Sequence, residues 1–311
     1  MSDAAMMPAG RAPAVAPAPP PRARAGRGRL RALWFVGPAV FLLAMIYVIP
    51  LIALAGFSLT DYRLGAVNTR FVGLGNFTKA LADPVFIRAL RNTLLYAVIV
   101  IPLGVGLALL IAILVHGARR SRPFWEIAYF LPVTATLVAM ATVWQFVLHP
   151  SLGPVNAAIK ALGMDPVSFL GAPHLLIPTL AMIGVWQVVG FNMVLYLAGL
   201  TGIPRDLYEA ARLDGAKSPI DRFLTVTWPM LGPTTMFVAV TTSISAFKVF
   251  ETVAVLTKGR SGSETLLYAI YLEGFEYSET GYAAALTLLF LGIILALSIW
   301  QTFFMDKKVH Y

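Results

Sequence analysis

Residues able to do chemistry are few in this sequence, and they fall in two places. Between two long apolar runs, Asp206, Glu209, Asp214 and Asp221 alternate with Arg205, Arg212, Lys217 and Arg222. Carboxylates and cations spaced three and four apart fit a solvated surface helix held by its own ion pairs. Ala210, Ala211 and Gly215 in the same stretch remove side-chain bulk where another protein would approach, and this favours a docking surface. The second place is Lys248 and Glu251, three apart near the end of an apolar run and therefore expected on one helical face. They suit an interfacial pair with the lysine reaching out to water, or a polar contact in a path across a membrane. Trp144, Gln145, Trp186, Gln187 and Asn192 add amides and aromatic rings to otherwise apolar runs. Interhelical hydrogen bonding accounts for most such residues. A carbohydrate path needs the same amide donors and ring faces, which makes these five candidates for transient substrate contact.

Catalytic constellations are missing. There is no Gly-Lys dipeptide, so the phosphate-cradling loop that ends in Gly-Lys-Ser/Thr is absent. Nor is there a paired-His metalloprotease motif, a Gly-x-Ser-x-Gly elbow or an intramembrane Asp pair, and no catalytic residue is expected. His116, His149, His174 and His310 stand alone and there is no cysteine, so neither a metal site nor a disulfide is expected.

The elements that must position these residues are membrane helices. A composition of 58% hydrophobic and 13% charged residues, with a mean hydropathy of +0.76, lies outside the range of soluble domains. Apolar runs nearly free of charge and long enough to cross a bilayer predict six spans at about 33–57, 92–115, 125–147, 174–199, 229–255 and 281–304, the fifth carrying charge near its end. Residues 1–31 are Ala, Pro, Gly and Arg without apolar periodicity and are expected to form a disordered basic tail, leaving 32–311 as the six-span domain. Ala53-Leu54-Ala55 has the look of a signal-peptidase site, but the apolar run before it is too long for an ordinary leader, so an uncleaved span is expected. The net charge of +9 raises the question of nucleic acid, yet the basic residues cluster beside apolar runs, which points to topology and anionic lipid. One set of alternate segments carries 15 Lys and Arg and the other 8. By the positive-inside bias both termini and the loop 200–228 face the cytoplasm.

That loop carries two helix signatures in a row. Pro204 suits the first helical position and Gly215 the left-handed residue that closes a helix. Ser218-Pro219-Ile220-Asp221 then supplies an N-cap, a first-turn proline and an acid at the third position. A helix, a glycine turn and a second helix are expected, pinned between membrane spans.

Glu209-Ala210-Ala211, Gly215 and the later Val226-Thr227-Trp228-Pro229 resemble the EAA loop in permease subunits of binding-protein-dependent ABC importers, above all the maltose, glycerol-3-phosphate and other sugar permeases. That pattern expects nine residues between its glycine and the aliphatic position before a Leu-Pro pair. Here ten residues, Ala216 to Thr225, intervene, and Trp228 replaces the leucine. The resemblance extends to Phe71-Val72-Gly73-Leu74-Gly75-Asn76-Phe77, Asn92-Thr93-Leu94, Phe130-Leu131-Pro132 and Gly281-Tyr282-Ala283-Ala284-Ala285, and so covers most of the chain after residue 33.

The resemblance implies an all-α polytopic fold of the type I ABC importer permease kind in a bacterial inner membrane. Glu209, Ala210, Ala211, Asp214 and Gly215 would couple it to an ATPase, Glu209 meeting a basic group and Gly215 turning at the floor of a cleft. Its implied partners are a second, related permease, two ATPase subunits that bind the ATP, a soluble binding protein and membrane lipid; no nucleic acid and no cofactor of its own are implied. The cargo would be a sugar or related carbohydrate, glycerol 3-phosphate included. Two other classes fit a polytopic chain. An ion-coupled secondary transporter needs a central acid, which no span has, and a non-transporting scaffold leaves the loop 204–229 without a purpose.

Overall fold

The computed structural model describes residues 25–118 and 120–306. Among them the chain is helical, with one isolated antiparallel bridge between Thr60 and Phe71. It divides into two compact units at Ile52/Ala53. The first unit holds the helix that starts at Ala25 and passes through a wide turn at Ala44–Val48. Residues 25–31, expected in the tail, are therefore helical, in keeping with the helix preference of their Ala, Leu and Arg. The tail through residue 24 lies outside the described residues, as do Arg119 and residues 307–311. The apolar part of this helix, α1 (Trp34–Ser58), is the first of spanning length.

The second unit contains α2 (Gly75–Ala82), α3 (Pro84–Gly117), α4 (Arg122–Thr134), α5 (Leu137–Val147), α6 (Pro154–Ala161) and α7 (Pro173–Thr201). It continues with α8 (Arg205–Leu213), α9 (Pro219–Met230), α10 (Gly232–Phe247), α11 (Leu266–Tyr271) and α12 (Thr280–Asp306). Among the described residues four unbroken helices, α1, α3, α7 and α12, are long and apolar enough to cross a bilayer. The pairs α4–α5 and α9–α10 are bent by 100° and 67°, and six spans result when each pair counts as one.

The α4–α5 bend falls inside the single straight span expected at 125–147, whereas the α9–α10 bend lies within a few residues of the boundary expected at 229. Ala135 and Thr136 are extended between α4 and α5, three and four residues after the buried Pro132, whose ring and missing N–H weaken the last turn of α4. Between α9 and α10 the chain turns at Leu231, beside Pro229 and Gly232-Pro233. The fifth span also stops early: α10 ends at Phe247, and Lys248 caps it.

Helix α3 shows how sequence sets a boundary. Asp83 accepts a hydrogen bond from the Val85 N–H at 2.8 Å and Pro84 occupies the first turn, a strong helix start. Its 34 residues reach about 50 Å at about 1.5 Å each, well beyond a hydrocarbon core of about 30 Å. The expected span 92–115 is its apolar centre, and the first turns with Arg88 and Arg91 project outside.

At the end of the bundle away from the loop 200–228 the motifs that carry the family resemblance act as ties. Asn76 donates to the carbonyls of Ser58 and Thr60, each at 2.8 Å. Asn92 donates to the carbonyls of Gly262 at 2.7 Å and Glu264 at 2.8 Å, and Thr93 Oγ1 accepts from the Leu266 N–H at 2.8 Å. Tyr282 donates to Asp83 at 2.7 Å, with Lys79 over its ring. Gly281 lies against the backbone of Thr60 so closely that a side chain would strike its carbonyl.

The bundle is built on α3 against α7. Ala97, Gly104, Ala108 and Ala112 of α3 are buried, and Gly184 of α7 lies directly against the Tyr96 hydroxyl. In lipid, small residues let helices approach closely enough for dispersion to hold them. Two cores result. Tyr96, Leu180, Phe247, Tyr268 and Leu286 belong to one; Val115, Met193, Tyr196, Leu200, Ile203 and Val226 belong to the other, below the loop 200–228.

Candidate functional site: the helix–glycine–helix loop and a polar groove

Helix α8 forms as its sequence requires, with one difference. Pro204 is extended and sits at the cap, so Arg205 is the first helical residue. At the far end the Gly215 N–H bonds to the Arg212 carbonyl at 3.2 Å and the Ala216 N–H to the Ala211 carbonyl at 2.9 Å. These are the paired bonds of a Schellman closure, and Gly215 has the positive φ, +99°, that the closure needs. No atom lies within 4 Å of where its Cβ would stand, so the backbone angle alone calls for glycine here. Helix α9 opens on a capping box: Ser218 Oγ accepts from the Asp221 N–H at 3.0 Å, and the Asp221 carboxylate accepts from the Ser218 N–H at 2.9 Å.

The loop rests on the bundle through one face. Tyr208 and Ala211 pack on the lower core, and the Tyr208 hydroxyl lies 3.0 Å from Thr227 Oγ1. Ala211, expected to clear room for a partner, is therefore half-buried against its own chain. Glu209, Ala210, Asp214 and Gly215 are exposed, and so are Leu213, Ile220 and Leu224 beside them, Leu213 by 90%. The extra residue of this loop has a structural counterpart in the wide turn Phe223–Thr227, because an i→i+5 turn takes up more chain than an α turn.

Of the residues expected to meet substrate, four come together. Gln187 and Asn192 of α7, Lys248 at the end of α10 and Glu251 just beyond line an open groove of about 380 Å³. Val133 and Leu137 from either side of the α4–α5 bend form its opposite wall. Lys248 and Glu251 do not share a continuous helix, since the break at 248–250 separates them; they meet through the groove. Among the described residues no ion pair joins them. A smaller cavity of about 60 Å³, lined by Tyr96, Lys248, Glu251 and Thr252, continues the groove inward. The buried Thr252 hydroxyl there has no hydrogen-bond partner. Asn192 is 2% exposed and donates to the Gly104 carbonyl and to Thr242, so its amide is already engaged between helices.

Trp144, Gln145 and Trp186 stand outside the groove. Trp144 and Trp186 meet edge to face at 5.4 Å, which makes them a packing pair, and Gln145 is exposed elsewhere on α5. Thr241, Ser245 and Phe191 line the groove without having been expected there. The helical period would have found them: Thr241 and Ser245 lie seven and three positions before Lys248, and Phe191 four after Gln187. Among the described residues no group of three or more His, Asp or Glu gathers as a metal site.

A bundle of spanning helices, with a polar groove beside the α4–α5 bend and a helix–glycine–helix loop at one end, has the make-up of a membrane permease. The comparisons agree. Residues 101–310 match the family described as binding-protein-dependent transport system inner membrane component, and the chain belongs to that family. It is 34% identical over 273 residues to a probable ABC transporter permease protein, YurN, of Bacillus subtilis, covering 86% of this chain and 93% of the relative. Over 252 residues it is 31% identical to the sn-glycerol-3-phosphate transport system permease protein UgpA of Agrobacterium fabrum, covering 79% of this chain and 84% of the relative. It is 30% identical to the arabinooligosaccharides transport system permease protein AraP of Bacillus subtilis over 272 residues, 85% of each. A chain of a bacterial alginate ABC transporter, solved in complex with an alginate pentasaccharide-bound periplasmic protein, shares the fold with a TM-score of 0.80. Sequence identity there is 22%, and the match covers 91% of this chain and 97% of that one.

Proposed function

We propose that this permease passes a carbohydrate, or a related compound such as a polyol phosphate, across a bacterial cytoplasmic membrane. It would work beside a second, related permease, with two ATPase subunits below, which bind the ATP, and a soluble binding protein above. Support for the cargo class comes from the relatives, which are named for glycerol 3-phosphate and arabinooligosaccharides. Both termini and the loop 200–228 face the cytoplasm in this reading, as the excess of Lys and Arg on that side requires.

The observation that carries the reading is the exposed end of α8: Glu209, Ala210, Asp214 and Gly215 face outward while Tyr208 and Ala211 seat the helix on the bundle. Force applied to such a helix passes into α7 and α9 through packed side chains rather than through a slack loop. ATP drives the change through its greater affinity for the closed ATPase pair, which draws the two coupling loops together and opens the groove outward. Ala211 acts as part of the seat, and Gln187, Asn192, Lys248 and Glu251 form the polar step for substrate.

The test is coexpression with the proposed ATPase, permease and binding-protein partners and measurement of uptake with ATPase copurification. Glu209→Lys replaces an attraction by a repulsion at the contact, a change that costs several kcal/mol at an interface. Uptake and copurification are expected to fall together while the permease remains inserted and abundant. Unchanged values of both would remove Glu209 from the coupling contact.

A further inference from the structure

Between the loop and the bundle lies an open pocket of about 450 Å³ that the transport role does not use. Its polar lining is His116 from α3, Tyr208 and Arg212 from α8, and Arg222 and Thr227 from α9, with Phe223 on the apolar wall. Three basic side chains from three helices thus converge on one space. Among the described residues no carboxylate comes within 4.0 Å of Arg212 or Arg222. Acids are at hand on the same two helices, Asp206, Glu209, Asp214 and Asp221, yet Asp221 is held by the Ser218 N–H and the others form no ion pair. Arg222 donates through Nε to the Ser218 carbonyl at 3.4 Å. Tyr208 and Thr227 bond each other and add hydroxyls to the wall.

The ends of α3 and α7 offer part of the compensation, since a helix C-terminus carries about half a negative charge. That leaves most of the positive charge unmatched, and two arginines lining one pocket supply the forked donors that suit a planar or tetrahedral oxyanion. The cavity also lies where membrane spans end, at the level of the inner-leaflet headgroups in the topology read above.

We propose that this cavity binds a phosphate group, carried by an anionic phospholipid of the inner leaflet or by a soluble cytoplasmic phosphate compound, and that the bound anion braces α8 and α9 against α3. Binding needs no ATPase partner, so its failure would leave the proposed transport role standing.

The experiment uses the full chain, purified and delipidated in detergent, with thermal unfolding as the readout. Short-chain phosphatidylglycerol, inorganic phosphate and short-chain phosphatidylcholine are titrated separately. Stabilisation by phosphatidylglycerol but not by inorganic phosphate assigns the lipid source, and stabilisation by both assigns a site open to soluble phosphate; phosphatidylcholine is expected to do far less. In the Arg212→Gln/Arg222→Gln variant the midpoint should move to about tenfold higher concentration, the loss of charge-assisted hydrogen bonds. Arg212→Glu alone, a charge reversal at an exposed position, should abolish the response. Lys217→Gln, a cation on the same loop outside the cavity lining, should leave it unchanged. Equal stabilisation by phosphatidylcholine and the anionic probes, no stabilisation by either anion, or an unshifted midpoint in the arginine variants overturns the proposal.

Discussion

Asn192 on α7 donates its side-chain amide to the hydroxyl of Thr242 on α10 across 2.9 Å, and the same nitrogen reaches the Gly104 carbonyl of α3 at 3.1 Å. One buried amide therefore joins the three helices around the groove. Asn192→Val leaves both acceptors without it, and a loss of about 1 kcal/mol is expected. In a double-mutant cycle with Thr242→Val, unfolding in detergent should show a coupling of about 0.6 kcal/mol, the scale found for such bonds inside membranes. Strict additivity would mean that the bond contributes nothing.

The surface near the start of α12 should respond to pH through Glu273. Burial is the main cause that raises its carboxyl above the ordinary value, with Asp83 and Glu279 adding to it and Lys79 opposing. The folded chain therefore keeps this proton to higher pH than the unfolded chain does. Between the two pKa values the native state binds more protons, so this group's contribution to stability falls as pH rises through the window. Glu273→Gln removes that slope. Its unfolding midpoint should gain on the wild type as pH goes from about 4 to about 7, by a small amount because the side chain is only partly buried. A difference independent of pH would contradict this.

Much of the fold was legible because bilayer physics leaves so few choices. The apolar runs announced α3, α7 and α12, and Pro204, Gly215 and Ser218-Pro219-Ile220-Asp221 announced the two loop helices. The α4–α5 bend was not legible, since a window of mean hydropathy reads 125–147 as one run and is blind to a helix that stops at Thr134 and restarts at Leu137. The same blindness placed Lys248 and Glu251 on one helix, whereas the chain breaks between them and brings them together through a groove. Trp144, Gln145 and Trp186 share a composition with groove residues but not a direction, and only packing could separate them. Ala211 looked like a small residue left clear for a partner until Tyr208 and the lower core showed which face of α8 points inward.

Topology can be tested with two introduced cysteines, because the chain has none of its own. Asn68 and Lys217 are both exposed. An impermeant thiol reagent on intact cells should label Asn68→Cys and spare Lys217→Cys until the membrane is opened. The reverse result would place the loop 200–228 outside and remove the reason for expecting an ATPase there.

Glu251 lines both the open groove and the smaller cavity behind it, beside Lys248 and the unpartnered Thr252 hydroxyl. A carboxylate kept in such a place without an ion partner is expected to act on what passes. Glu251→Gln retains the shape and removes the charge, so uptake should change by about tenfold in KM or rate, with ATPase copurification intact. Wild-type uptake kinetics would return Glu251 to a purely interfacial role.

Gly215 separates the cost of a backbone angle from the cost of a lost contact. With φ at +99° and no atom within 4 Å of a Cβ, a side chain there meets conformational strain but no obstacle within the chain. Gly215→Ala and Gly215→Asp should therefore each lower stability by about 1–2 kcal/mol, leaving the spans inserted and the protein recoverable. Docking asks for more, since a partner that closes on Ala210, Asp214 and Gly215 would meet the added atoms directly. Uptake should then fall in the order glycine, alanine, aspartate, and much further than the similar stabilities of the two variants allow, with the ATPase lost from detergent extracts of the aspartate variant. If both variants take up substrate at the wild-type rate and retain their ATPase, the exposed end of α8 is not where force enters this permease.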